Sequence, residues 1–212
     1  MNVAYLKNQI KFQIGRLRWL LPRTRTGLGK ILEDFRRSSE LARRESVIRS
    51  LHPFCQRQDM SILEIGSSTG VNLKCIEDSD LGHHFSKYAG VDINRSSIVV
   101  GQRLNPHFFL RHSSISKWVN TETESKFSII FSMDTLLYIP QYQIDAVLKA
   151  MLERASLGIV IIEQATDGEE RYDGKNIIYN YKSRLKNIVG REDVQIKSSP
   201  AIGSPSTILT VI

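Results

Sequence analysis

Hydrophobic positions along the chain change rhythm at about residue 60. Near the N-terminus Leu6, Ile10, Ile14, Leu17 and Leu21 recur at spacings of three and four, which places them on one face of a helix. Lys7, Lys11, Arg16 and Arg18 fall mostly off that face, and Pro22 ends the run. Residues 23–30, with two glycines and two threonines, read as a connector. A second, charge-dense helix is predicted from Ile31 to Leu51, closed by Pro53. Beyond residue 60 short apolar runs alternate with helical stretches, the pattern of an α/β domain with a mostly parallel sheet. Strands are predicted near 61–65, 88–92, 107–110, 127–132, 157–163, 193–198 and 206–212. Helices are predicted near 70–78, 95–104, 141–154 and 178–188. The last two strands are joined by a turn rich in Pro, Gly and Ser (199–205), too short for a crossover helix, so they are expected to pair antiparallel. The expected fold is α/β: a doubly wound seven-stranded sheet, its last two strands antiparallel, with an N-terminal helical extension. Residues 1–54 are read as that extension and residues 55–212 as the sheet domain.

Charge sharpens the division. The chain has 212 residues and a net charge of +7. Residues 1–50 hold 12 basic and 4 acidic side chains, and the remainder holds 17 and 18. A near-neutral body therefore carries a basic N-terminal segment, which is not the uniform basicity of a nucleic-acid coat. The basic helix suits packing on its own domain or on a second subunit, and equally peripheral contact of residues 1–21 with an anionic membrane surface, anchored by Phe12 and Trp19. No run nears the ~20 apolar residues that span a bilayer, and charges interrupt any signal-peptide core. Two cysteines, Cys55 and Cys75, are too few for a disulfide scaffold. A cytoplasmic setting is expected, with the inner membrane surface as the alternative. The adjacent His83 and His84 have no carboxylate or cysteine at metal spacing, so no metal site is expected.

The most informative stretch is Ile62-Leu63-Glu64-Ile65-Gly66-Ser67-Ser68-Thr69-Gly70, an apolar strand running into a Gly-rich turn and then a helix. In a doubly wound fold a cofactor binds there, outside the carboxyl end of the first strand. Asp92 follows 22 residues after Gly70, at the end of the second strand, where an acidic side chain accepts ribose hydroxyls. A dinucleotide site would want Gly-x-Gly-x-x-Gly, and those positions hold Gly66, Ser68 and Val71. A nicotinamide-dependent oxidoreductase is thereby disfavoured. The alternative pattern, acidic-x-Gly-x-Gly-x-Gly, reads Glu64, Gly66, Ser68 and Gly70.

With Gly90-Val91-Asp92-Ile93-Asn94, Arg111-His112-Ser113-Ser114-Ile115 and the run Phe127 to Pro140, the chain resembles the class I S-adenosylmethionine-dependent methyltransferases over residues 55–212, a Rossmann-like fold. The resemblance implies S-adenosyl-L-methionine as cofactor. It implies that Gly66 and the adjacent backbone hold its methionine end, with Glu64, Ser67, Ser68 and Gly70 also in the cofactor-binding set, that Asp92 holds the ribose and that Ile93 packs on the adenine. Ser114 and Ile115 would flank the adenine edge, and Ser132 and Met133 would line the cofactor beneath the fourth strand. Two positions depart from the family: Ser68 stands for the middle glycine, and Ser128 stands where the fourth strand often carries Asp.

The methyl acceptor is expected past the fourth and fifth strands, where Asp134, Tyr138 and Glu163 are the candidate catalytic residues. Asp134 or Glu163 would take a proton from a hydroxyl or orient an amine, and Tyr138 would hydrogen-bond the acceptor. Each has a plainer alternative: Tyr138 as pocket wall, Asp134 as a water-facing loop residue, Glu163 as holder of a backbone amide. No Pro-Pro-aromatic run follows the fourth strand, which argues against base or glutamine amide methylation, and no cysteine lies near to attack a pyrimidine carbon. The polar, tyrosine-containing segment after the fifth strand is suited to a lid or acceptor wall. A hydroxyl or amine of a small molecule, sugar or glycan precursor is the expected acceptor. An RNA methyltransferase using the basic segment, or a non-catalytic adenosyl-binding module, is the alternative. The oligomeric state is not set by the sequence.

Overall fold

The computed structural model describes residues 38–121, 126–190, 195–200 and 207–212. The expected helix over residues 6–21, the connector 23–30 and the start of the second helix lie outside the described residues, as does most of the last turn.

The elements run α1 (Ser38–Leu51), β1 (Met60–Ile65), α2 (Val71–Glu77), β2 (Phe85–Asp92), α3 (Arg95–Leu104), β3 (Phe109–His112), α4 (Ile115–Asn120), β4 (Phe127–Met133), α5 (Gln141–Arg154), β5 (Ala155–Glu163), β6 (Arg171–Tyr172), β7 (Ile177–Ile178), α6 (Tyr181–Val189), β8 (Ile196–Pro200) and β9 (Thr207–Val211). Seven strands form one sheet in the order β3-β2-β1-β4-β5-β9-β8. The final pair is antiparallel, as expected, and β9 lies between β5 and β8, so that β9 alone runs against its neighbours.

Alternation along the strands decides which helices cover which face. In β1 Met60 and Ile62 point to one face, and Leu63 and Ile65 to the other. In β4 Ile129 and Phe131 oppose Ile130, and in β5 Val160 and Ile162 oppose Ile159 and Ile161. The first set packs on α1, α2 and α3 through Val47, Leu51, Leu73, Ile76 and Ile98. The second packs on α4, α5 and α6 through Trp118, Val147, Leu148, Met151 and Leu185. Val47, Leu51 and Phe54, from the segment ahead of residue 55, are thus buried in the core of the sheet domain.

Three elements differ from expectation. Helix α4 was not anticipated, because six residues show no readable hydrophobic period. It is held at its start by Ser114, which accepts from Lys117 N at 3.2 Å. At its end Arg154 donates to the carbonyls of Trp118, Val119 and Thr121 at 2.7–2.9 Å and lies over the Trp118 ring. Helix α6 starts at Tyr181 rather than near 178, because Ile177–Ile178 pairs with Arg171–Tyr172 as a small hairpin. Strand β3 begins at Phe109, two residues later than expected.

Candidate active site

The carboxyl ends of five strands end in line. Ile65 is in register with Val91 and Ser132, Val91 with Arg111, and Ser132 with Ile161. The β1–α2 turn, Asp92 and the loops after β3 and β4 lie on that rim, where doubly wound folds bind ligands.

The β1–α2 turn is built from alternating left-handed residues: Gly66 (φ 79°), Ser68 (φ 50°) and Gly70 (φ 79°). Glycine takes this conformation without cost, and a side-chain-bearing residue does not. The acidic-x-Gly-x-Gly-x-Gly spacing is therefore a backbone requirement at every second residue, and Ser68 meets it under strain. Backbone N–H groups of Gly66 and Ser67 both donate to Val91 O, at 2.8 and 3.1 Å, and Gly70 N closes onto Ser67 O at 2.7 Å. Asp92 ties the turn to the second strand. Its Oδ2 accepts from Ser68 N at 2.8 Å and its Oδ1 from Asn94 N at 2.6 Å.

Replacing Ser68 with glycine should stabilise the protein. Relief of the left-handed side chain, worth about 1–2 kcal/mol, outweighs the about 0.5–1 kcal/mol of extra chain entropy that glycine loses. The melting temperature should rise by about 1–4 °C, and a fall would show that the serine is held there by a bond the glycine cannot make.

Two further glycines, not singled out from the sequence for packing, let the turn sit low. A Cβ at Gly90 would meet Ser67 Oγ at 2.4 Å, and one at Gly101 would meet Thr69 O at 2.6 Å. Glu64, on the α2 face of β1, is fully buried. Its Oε1 accepts from Asn72 Nδ2 at 2.6 Å, while Oε2 has no partner among the described residues. Burial, with the nearby charge of Asp92, pushes its carboxyl up to about 8 against the help of Asn72. Ser67 Oγ and Thr69 Oγ1, in the same turn, are also buried without a partner.

Across the rim, the loop after β4 leans on the turn. A Cβ at Gly66 would fall 2.0 Å from Thr135 Oγ1. Asp134, half-buried, holds a left-handed backbone (φ 49°) at the end of β4, a strained placement of the kind that concentrates at functional sites. Tyr138, also half-buried, follows in a 3-10 turn over Leu136–Tyr138. Glu163 lies beneath this loop on the α5 face of β5, fully buried. Its Oε1 accepts from Ser132 Oγ at 2.6 Å, Thr135 N at 2.8 Å and Leu136 N at 2.9 Å. Of the two places expected for Glu163, the geometry matches the backbone-holding one. Burial raises its carboxyl to about 7, the hydrogen bonds opposing.

Glu64, Gly66, Ser67, Ser68, Gly70 and Asp92 thus come together at one turn. Ile93 is half-buried beside Asp92, its carbonyl within 3.1 Å of His112 Nε2. Ser113 N donates to Asp92 O at 2.9 Å, which brings Ser114 and Ile115 to the same rim, although Ile115 also packs partly into the core. Ser132 turns its hydroxyl to Glu163, and Met133 packs partly on the α2 face. Ser128 lies at the opposite end of β4, where it and Ser61 exchange N–H to hydroxyl bonds of 3.0 Å. Its departure from the family pattern therefore leaves the rim untouched. Asn72 and Thr135 were missed in the sequence; neither residue type carries a motif signal.

No protein-family model and no curated protein matches the chain. Solved structures do. The plantazolicin methyltransferase BpumL, in complex with a triazolic desmethylPZN analog and SAH, is 14% identical, covering 100% of this chain and 98% of its own, with a TM-score of 0.69. DesVI of Streptomyces venezuelae is 12% identical over 91% of this chain and 99% of its own, with a TM-score of 0.66. The sugar N-methyltransferase KedS8 of Streptoalloteichus sp ATCC 53650 is 14% identical over 90% and 93%, with a TM-score of 0.60. The chain has the fold of the class I S-adenosylmethionine-dependent methyltransferases. Within this methyltransferase fold, the segment between β5 and α6 is fastened down. Ala165 bridges to Tyr179, whose buried hydroxyl donates to Ile139 O in the loop after β4. Glu170 accepts from Arg184 Nε and Nη2 at 2.5 Å and from Asn180 N at 3.1 Å. Arg184 reaches on to Asp145 of α5 at 2.6 Å and covers the Tyr179 ring. Asp145, Glu170, Asn180 and Arg184 line a polar cavity of about 610 Å³ between the segment, α5 and α6. No group of three His, Cys, Asp or Glu among the described residues is placed to hold a metal, and no described helix is long and apolar enough to cross a membrane.

Proposed function

We propose that the chain is a methyltransferase that uses S-adenosyl-L-methionine to methylate a hydroxyl or amine of a small acceptor, with a sugar or glycan precursor the favoured class. The observation that carries this reading is the turn at Gly66–Gly70, whose three left-handed residues include Ser68, held by the Asp92 carboxylate, beside a buried Glu64 with one carboxyl oxygen unpaired among the described residues. The orphaned polar atoms and the side-chain-free Gly66 fit a small polar, cationic group lying against the turn. When bound, the cofactor supplies an activated methyl group.

The protein's part is placement and proton handling. Asp92, its carboxylate fixed by two backbone N–H groups, is proposed to accept the ribose hydroxyls. Ile93 is proposed to pack on the adenine, with Ser114 and Ile115 at its edge. Asp134, raised by its left-handed backbone at the end of β4, is proposed to take the acceptor proton on its carboxylate, and Tyr138 to hydrogen-bond the acceptor. Glu163 then serves as the residue that positions their loop. The fastened segment after β5 forms the acceptor wall. Two structures of this fold support a small-molecule or sugar acceptor: KedS8 is a sugar N-methyltransferase, and BpumL is a plantazolicin methyltransferase crystallised with a triazolic desmethylPZN analog.

The test is calorimetric titration of the protein with S-adenosylmethionine, S-adenosylhomocysteine and NAD, beside Asp92→Ala. Adenosyl ligands should bind saturably and NAD should not. Binding should weaken by about ten- to a hundredfold in Asp92→Ala, the range for losing charge-assisted hydrogen bonds. Absence of adenosyl binding by the wild type would overturn the reading.

A further inference from the structure

Glu64 is a buried carboxyl with few partners for a charge. It is fully buried in the sheet, in register with Gly90 on β2 and Phe131 on β4. Of its two carboxyl oxygens one has a single donor, Asn72, and the other has none. Among the described residues, the groups that act on it are a neutral donor and a second acid. Helix α2 presents the neutral Asn72, β2 presents the acidic Asp92, and β4 presents the apolar Phe131. A buried carboxylate with one neutral donor and a second carboxylate as neighbour is far costlier than the neutral acid. An ammonium group arriving over the Gly66–Gly70 turn shifts that balance, since it sits close to two acidic groups.

We infer that Glu64 is a proton-linked binding group, which keeps its proton in the free protein and releases it to solvent when the α-ammonium of an adenosyl ligand settles on the turn. The inference rests on the cofactor reading above and adds to it a specific protonation change. One O–H bond of the carboxyl breaks, the proton passes to buffer, and the carboxylate so formed pairs with the ligand's positive charge. Binding is consequently tighter at higher pH until Glu64 is ionised in the free protein as well. Its upward displacement to about 8 puts that limit just above neutrality.

The experiment is calorimetric titration of S-adenosylmethionine into the full chain at pH 7 in phosphate and in Tris, whose ionisation enthalpies differ widely. The dependence of observed heat on buffer gives the protons released. Wild type should release about 0.9 proton more than Glu64→Gln, which keeps the shape of the neutral acid and has no proton to give. Between pH 6 and pH 7 the wild-type Kd should fall about tenfold relative to that of Glu64→Gln. The difference between the two proteins cancels protons contributed by the ligand or by histidines. As a second variant, Asn72→Ala removes the one donor that favours the ionised form, and should move the affinity–pH profile to higher pH. Equal proton counts in wild type and Glu64→Gln, with binding intact, would overturn the inference and leave the cofactor reading standing. No binding by the wild type at any pH would overturn the cofactor reading itself. Should Glu64→Gln fail to fold, an unmoved profile in Asn72→Ala would overturn the inference.

Discussion

Replacing Gly66 with alanine should abolish adenosyl-ligand binding and lower the melting temperature by about 10 °C. Two independent costs add at this position. The backbone is left-handed, which a Cβ resists by about 1–2 kcal/mol. The Cβ would also lie 2.0 Å from Thr135 Oγ1 and 2.7 Å from Thr135 Cβ, so rotating the threonine does not relieve the clash. Overpacking of this kind costs about 1–3 kcal/mol. Thr135 cannot retreat, because its N–H is held by Glu163 and its hydroxyl donates to Met133 O at 3.1 Å. The combined loss of about 2–5 kcal/mol corresponds to roughly 5–20 °C for a chain of this size. Thermal melts with calorimetric titration decide it, and Thr135→Gly in the Gly66→Ala background should recover part of the stability. A Gly66→Ala variant that melts like the wild type and binds normally would show that the two loops do not meet at this glycine.

Glu163→Ala is expected to have an effect of similar size, by a different route. It leaves Thr135 N, Leu136 N and Ser132 Oγ without their acceptor, two of the three at fully buried residues. Unpaired buried donors cost about 1–3 kcal/mol each, and local relaxation recovers part of that, so a net loss of about 3–5 kcal/mol is expected. Glu163→Gln keeps an acceptor oxygen and should lose much less. The two variants separate further with pH. The Glu163 carboxyl is raised from an ordinary value near 4.5 to about 7, and that of Glu64 from near 4.5 to about 8. Between those limits the folded chain binds more protons than the unfolded one. Stability from these two groups is therefore full below about pH 4.5, declines as pH rises, and levels off above about pH 8. Glu163→Gln should flatten the lower part of that decline, measured as melting temperature between pH 5 and pH 8. An unchanged slope would mean that Glu163 is ionised throughout.

What the chain shows before folding and what it hides follow from range. The sheet was readable because short apolar runs alternate with helical stretches, and the spacing of positions 66, 68 and 70 was readable because the left-handed requirement is local. Asp92 was readable for the same reason, as a charge at the end of an apolar strand. Gly90 and Gly101 were not, because their meaning lies in contacts with Ser67 and Thr69, more than twenty residues away. Glu163 displayed a carboxylate at a strand end and nothing of the three donors that converge on it from β4 and its loop. Helix α4 and the β6–β7 hairpin are shorter than any period that would reveal them. Thr135 fits one place only because Gly66 is beside it, a fact about two residues and visible in neither.

The bridge between Ala165 and Tyr179 has a bearing on how such a protein changes over time. The chain leaves the sheet domain and returns to it at almost one point, so the stretch between is an excursion whose ends are already closed. Lengthening such an excursion costs only about 0.6 kcal/mol per doubling. Its exposed turns at residues 167–169 and 173–175 can drift or lengthen while Tyr179 keeps its grip on Ile139 and the turn at Gly66–Gly70 stays as it is. On the proposed function, one half of the molecule would answer to a single unvarying ligand and the other to whatever acceptor a lineage encounters, with a buried tyrosine as the seam between them.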